Sequence, residues 1–359
     1  MTHRRTIESP TANSRVLRSW KRTGLVIVLA LSTVVAAVGT AGQRAGDGRS
    51  GVTANDCGWT PGFHIAGLSG GVNALAVFDD GSGPALYAGG EFISAGEKMF
   101  HSIAMWDGSA WQPLSGPSGT GMTGWKPTVN ALVVFDDGTG PALYAGGQFA
   151  TAGGVQANNI AKWDGARWSA LPGLLGRAID TLAVYDDGTG PALYAGGIFT
   201  EVGPGDVTVN RIARFDGSAW HPLSGPSGTG VEGNYPHVAA LAVYDDGSGP
   251  ALYLGGRFDT AGGVTANHLA KWDGEEYTAL EGPFGIGIDE RVHTLAVYDN
   301  GTGPALFVGG LFDTAGGVTA NNIARWDGST FTALDGPTGT GTNHPVNAFS
   351  VYDDGSGPA

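Results

Sequence analysis

The chain has 359 residues, 14% of them charged against 42% apolar, and a formal net charge of −14. That balance excludes a highly charged disordered chain and leaves enough length for one or two domains with a core. It also argues against a nucleic-acid partner, because an acidic body repels a phosphate backbone.

Residues 1–41 come first. Arg4, Arg5, Arg15, Arg18, Lys21 and Arg22 face only Glu8 in the opening stretch, and the uncharged run Leu25–Val38 follows. Basic, then apolar, then small residues (Gly39, Ala41) read as an export signal cleaved after Ala41. The uncharged stretch Thr23–Gln43 is also just long enough to stay as a membrane anchor. Both readings export the rest of the chain, and the membrane enters only if the segment is uncleaved. Residues 42–57 read as a linker. They end at Cys57, the one cysteine, so neither an intrachain disulfide nor a cysteine-based zinc site can form.

Residues 58–359 form the repeat domain. "DDGSGPALYAGG" opens at Asp79, and related stretches open at Asp136, Asp186, Asp245, Asp299 and Asp353. The periods are 57, 50, 59, 54 and 54 residues. A Gly-Gly pair stands ten residues after each of the first five openings, from Gly89 to Gly309. An aromatic-Asp-Gly follows at Trp106, Trp163, Phe215, Trp272 and Trp326, and another aromatic five residues later. Nearly all the length variation falls in the connection to the next opening.

Four short strands are predicted per copy. In the first they are Val72–Asp79, Ala85–Phe92, Ser102–Asp107 and Ala110–Leu114, each bounded by turn residues. Four strands per period of this length predict an all-β fold, a β-propeller of four-stranded blades, ahead of a β-helix with its shorter repeats. Five copies are complete and a sixth is partial. Trp59 stands where a fourth strand would be, so the ring is expected to be incomplete and the chain a fragment, or else a five-blade ring with frayed ends.

"ALYAGG…IAKWDGARW" resembles the kelch repeat and the galactose-oxidase-type propeller, in which a double glycine precedes two spaced aromatics. Gly146-Gly147, Trp163 and Trp168 stand at those places. The resemblance covers Val72 to Ala359. It departs in the first aromatic, which is Trp or Phe where Tyr is usual, and in a shorter turn before the second. The fuller unit is similar to exported repeat proteins of planctomycete-type bacteria, which implies export and fold but no activity. The copper site of galactose oxidase has no counterpart here, since Cys57 precedes the blades, so no cofactor is expected.

The acidic stretch reads as a turn, because its two acids are adjacent where a calcium loop alternates them. No lysine completes a phosphate-binding loop. The Gly-Gly pairs read as sites of close packing or of a bulge in the second strand. The repeated tryptophans read as core rather than as a sugar platform.

Ligand-binding candidates lie at the start of each first strand, where a propeller lines its central channel: Asn73, Asn130, Asp180, His293 and Asn347, with Ala239 at the sixth aligned position. The variable connections share that face, and such loops on a rigid scaffold carry recognition. Glu232, Asp289, Glu290 and His293 are the acids and imidazole an enzyme would draw on there, but no catalytic motif joins them. The expected function is an exported, non-catalytic module binding a protein or glycan. A carbohydrate-active or other propeller enzyme and a structural envelope protein are the alternatives.

Overall fold

A computed structural model describes residues 67–350 apart from 96–97, 173, 176, 204–206, 226 and 337–338. The export or anchor segment, the linker with Cys57, Trp59 and the end of the last copy lie outside the described residues.

Each of the five complete copies folds as a four-stranded antiparallel sheet with strands in sequence order. Blade 1 consists of Val72–Asp79, Pro84–Gly90, Ile103–Trp106 and Trp111–Pro113. Blade 2 consists of Thr128–Asp136, Pro141–Gln148, Ile160–Trp163 and Trp168–Ala170. Blade 3 runs from Ile179–Asp186 to Trp220–Pro222, blade 4 from His237–Asp245 to Tyr277–Ala279, and blade 5 from Arg291–Asp299 to Phe331–Ala333. The first strands of consecutive blades are neighbours from blade 1 to blade 5. Among the described residues no strand pairing joins blade 5 back to blade 1. The predicted first strand of the sixth copy forms no ladder over residues 346–350. It is nevertheless seated on blade 5, where the Val346 amide donates to Gly310 O at 3.0 Å.

The acidic stretch is a turn. Asp79 Oδ1 accepts the Gly81 and Gly83 amides at 2.9 and 3.0 Å, and Asp80 Oδ1 accepts the Ser82 amide at 3.0 Å. The same pattern recurs at Asp136, Asp186, Asp245 and Asp299. In the three middle blades the second aspartate also holds a cation and a tyrosine. Lys162 Nζ lies 2.6 Å from Asp137 Oδ2, and the Tyr144 hydroxyl donates to that oxygen at 2.8 Å. Arg214 and Tyr194 serve Asp187 in the same way, and Lys271 and Tyr253 serve Asp246. Burial pushes the Asp137 carboxyl up, but Lys162, Thr139 and Tyr144 outweigh it and hold the group down at about 2. Blade 1 has Met105 opposite Tyr87, where blade 2 has Lys162 opposite Tyr144. The Tyr87 hydroxyl there is buried and makes no hydrogen bond, with the Trp163 indole beside it.

The core lies between blades. Four clusters each join one blade's tyrosine face to the next blade's aromatic pair, as Phe78 and Tyr87 join Trp163 and Trp168. The aromatic pairs of blades 2 to 5 are therefore core, with Trp163 and Trp168 7% and 4% exposed, while Trp106 and Trp111 of blade 1 are half-buried. The first glycine of each Gly-Gly pair makes this approach possible. A β-carbon on Gly89 would stand 2.4 Å from Val129 Cγ1, and one on Gly196 would stand 2.6 Å from Val238 Cγ1.

The variable connections are more ordered than the sequence suggested. Short ladders stitch one blade's outgoing connection to the next blade's hairpin: Met122–Thr123 pairs with Thr151–Ala152, and Val231–Glu232 with Thr260–Ala261.

Gly196→Ala is expected to lower stability by about 1–3 kcal/mol, the usual cost of overpacking. Gly67→Ala, where nothing lies within 4 Å of the added carbon, is the neutral control; urea unfolding midpoints of both variants check this. Met105→Lys is expected to complete the blade 1 network and add about 0.5–1 kcal/mol, read by the same midpoints.

Candidate functional site

In blades 1 to 5 the first strand carries one β-bulge near its start, and the extra residue is in each case the aligned position. Val72 pairs with Gly90 and Ala74 with Gly89, which leaves Asn73 over. Asn130, Asp180, Ala239 and His293 are left over in the same way. A bulge turns the extra side chain out of the alternating pattern of the strand.

The second glycine of each pair is what admits the bulge. A β-carbon on Gly90 would stand 2.0 Å from Gly71 O, and one on Gly147 would stand 2.0 Å from Thr128 O. The sequence expectation placed a bulge in the second strand; the register places it in the first, with the glycine opposite. The first glycine acts from the preceding blade. It receives the aliphatic residue just before the next bulge: Val129 on Gly89, Ile179 on Gly146, Val238 on Gly196, Val292 on Gly255 and Val346 on Gly309.

The bulged residues converge. Asn73, Asn130, Asp180, Ala239, His293 and Asn347 line one open cavity of about 370 Å³. Asn73 Nδ2 donates to Asn130 Oδ1 at 3.3 Å. Asn130 Nδ2 donates to Ile179 O at 2.9 Å and reaches Asp180 Oδ1 at 3.5 Å. On the other side, His293 Nδ1 and Asn347 Oδ1 are 2.8 Å apart. An amide oxygen only accepts, so the imidazole donates and its Nε2 is the acceptor in the neutral form. The belt is broken between Asp180 and His293, where blade 4 offers only the methyl group of Ala239. Two residues further along the strands, Leu132, Leu182, Leu241 and Leu295 line the same cavity, with Phe349.

Burial pushes the Asp180 carboxyl up to about 7. Burial also lowers His237, at the start of the blade 4 strand, and the positive charges of His293, Arg291 and Arg257 act in the same direction.

The acids that an enzyme would draw on stand elsewhere. Glu232 accepts from Asn210 Nδ2 at 3.4 Å on the inter-blade ladder. Asp289 accepts the Asp313 and Thr314 amides at 3.1 and 3.0 Å. Neither they nor Glu290 line the cavity. Sequence reasoning did not single out Thr181, Thr294 and Ser350, which do line it. Each sits one to three residues past an aligned position, so the aligned first strands contained the clue. Three exposed aromatics, Trp125, Tyr235 and Phe284, were also passed over; they stand on the variable connections at 79–81% exposure.

No family model matches the chain. No curated protein matches it either. Among solved structures, the extracellular domain of BT4673 from B. thetaiotaomicron is similar at 13% identity over 79% of this chain and 38% of that one, with a TM-score of 0.22. The chain thus spans well under half of that protein's length, and no functional statement follows from the match.

A carboxyl raised by folding loses protons later in the native state than in the unfolded chain. The unfolded state therefore binds fewer protons between about pH 4 and pH 7, and stability falls across that window as pH rises. Asp180→Asn is expected to raise the unfolding midpoint at pH 8 and to leave it nearly unchanged at pH 4. Denaturant melts at the two pH values check this; equal effects at both would show that the carboxyl titrates normally.

Proposed function

We propose that the protein is an exported, non-catalytic binding module that takes its ligand at the mouth of the channel. The observation that carries this reading is the convergence of five bulged residues and Asn347 on one open cavity. Six aligned positions hold Asn, Asn, Asp, Ala, His and Asn, so an otherwise uniform frame presents a different side chain at several points. A rigid scaffold with a varied polar rim suits recognition.

The non-catalytic reading is supported by the chemistry of the rim. Among the described residues Asp180 is the one carboxyl that lines the cavity. Glycoside hydrolysis of the usual kind needs two carboxyls across the scissile bond, and Glu232 and Asp289 are engaged in holding connections together. The Gly-Gly and paired-aromatic positions support a kelch-type assignment of the blades. Export rests on the basic and apolar order of residues 1–41. A glycan or a protein segment is the expected ligand.

Screening the purified protein on glycan and peptide arrays, together with a panel of glycosidase substrates, tests this. The expected result is a ligand whose affinity falls about tenfold or more in Asp180→Asn, the loss expected for one charge-assisted hydrogen bond, and also falls in Asn130→Ala. Binding indifferent to both variants would remove the channel from the reading. Hydrolysis that disappears in Asp180→Asn would make the protein an enzyme.

A further inference from the structure

The cavity has two chemically distinct levels. Its mouth carries the polar belt, and about 6–7 Å further along the strands, at the usual rise per residue, four leucines and Phe349 form an apolar wall. At the mouth the belt opens at one place. Contacts between first strands put blade 4 between blades 3 and 5, so the Ala239 methyl lies between Asp180 and His293. All the other bulge positions carry a polar side chain that reaches a neighbour; this one leaves a notch.

The two groups flanking the notch are both acceptors. Asp180 receives only the long contact from Asn130, at 3.5 Å, among the described hydrogen bonds. His293 spends its Nδ1 proton on Asn347 and presents Nε2. Among the described residues no lysine or arginine lines the cavity. A neutral acceptor in the ligand would leave both groups unpaired. An ammonium group supplies three donors and the charge that a half-buried carboxylate lacks. The leucine wall beneath calls for an apolar body attached to that ammonium within a few bonds.

We propose that the notch at Ala239 captures the free N-terminal ammonium of a peptide whose first residue is apolar, with the first side chain directed onto Leu182, Leu241 and Leu295. Capture of a chain terminus is a known mode of peptide recognition. The net charge of −14 favours the approach of a cationic group. The proposal deepens the channel reading and rests on it.

The two charges also set a pH window. Asp180 ionises at about 7 in the free protein, and a peptide α-ammonium loses its proton near pH 8. Affinity is expected to peak between those values and to fall on both sides. The other titratable and charged groups on the neighbouring strands are His237, His293, Arg291 and Arg257.

Calorimetric titration of the full chain with Leu-Ala-amide, N-acetyl-Leu-Ala-amide and Gly-Ala-amide at pH 7.5 is the test. Binding of the first, with about tenfold or greater loss for each of the others, is expected. Asp180→Asn should abolish that difference between free and acetylated peptide, and Ala239→Leu should block binding by filling the notch. Circular dichroism of both variants separates these effects from misfolding. Equal binding of the acetylated peptide, or unchanged binding in either folded variant, overturns the proposal. So does tighter binding of the glycine peptide, which would remove the apolar wall from the recognition. If array ligands depend on Asp180 while none of the three peptides binds, this proposal falls and the channel reading stands. If no ligand depends on the channel, both fall.

Discussion

Two missing β-carbons per repeat hold this molecule in its shape. In each Gly-Gly pair the first glycine leaves room for an aliphatic side chain of the following blade, and the second leaves room for the bulged backbone of its own first strand. The two contacts meet at one point, because the aliphatic residue received by one blade is the residue just before the next blade's bulge. In blades 2 to 5 the direction of each bulged, cavity-lining side chain is thus set twice, by its own blade and by the preceding one. Steric exclusion at 2.0–2.8 Å is not negotiable by small shifts. It is a more rigid constraint than any of the hydrogen bonds in the belt.

A second, electrostatic constraint works at the opposite end of the three middle blades. Asp137, Lys162 and Tyr144 satisfy one another at the edge of the inter-blade core, and blades 3 and 4 repeat the arrangement. The outer repeats show how the parts depend on each other. Blade 5 has Phe307 where the tyrosine stood and Asn300 where the acid stood, and its Arg325 turns to Asp327 at 3.7 Å. When the hydroxyl is lost, a buried negative charge is no longer needed, and the neutral amide keeps the turn by accepting the Thr302 amide. Blade 1 lost only the cation, and the consequence is an unpaired buried Tyr87 hydroxyl. Between blades, Gly165 of the Asp-Gly turn sits with φ +100° against Asp80, where a β-carbon would meet Asp80 Cβ at 2.5 Å. The acidic turn is therefore both a chain reversal and the seat for its neighbour's hairpin.

Much of this was legible because its causes are local. The repeat spacing, the four strands and the Asp-Gly turns follow from alternation and turn chemistry within a few residues, and the tryptophans declared themselves core by recurring in register. The bulges were not legible, since a bulge is a statement about which residue pairs with which. The double glycine announced close packing or a bulge in its own strand, whereas the strand that bends is the one paired with it. The two-residue ladders, such as Thr123 on Thr151, are too short for any periodic pattern to show. The aligned channel positions could be found by counting alone, and the cavity brings all six together. The meaning of Ala239 could not. In a row of letters it is the one blank among polar residues; between Asp180 and His293 it is an opening.

The stitched connections change where specificity can reside. Had the variable segments been free loops, they would be the natural carriers of recognition, closing on a ligand at an entropic cost for each ordered side chain. Instead their backbone amides and carbonyls are largely spent on the neighbouring blade, as when the Ala150 amide binds Thr123 O and the Gly153 amide binds Gly121 O. With the rim held in this way, what distinguishes one point of the mouth from another is the identity of the bulged side chain. Single substitutions at those positions would alter the rim and leave the frame untouched, because the frame is held by glycines that do not line the cavity.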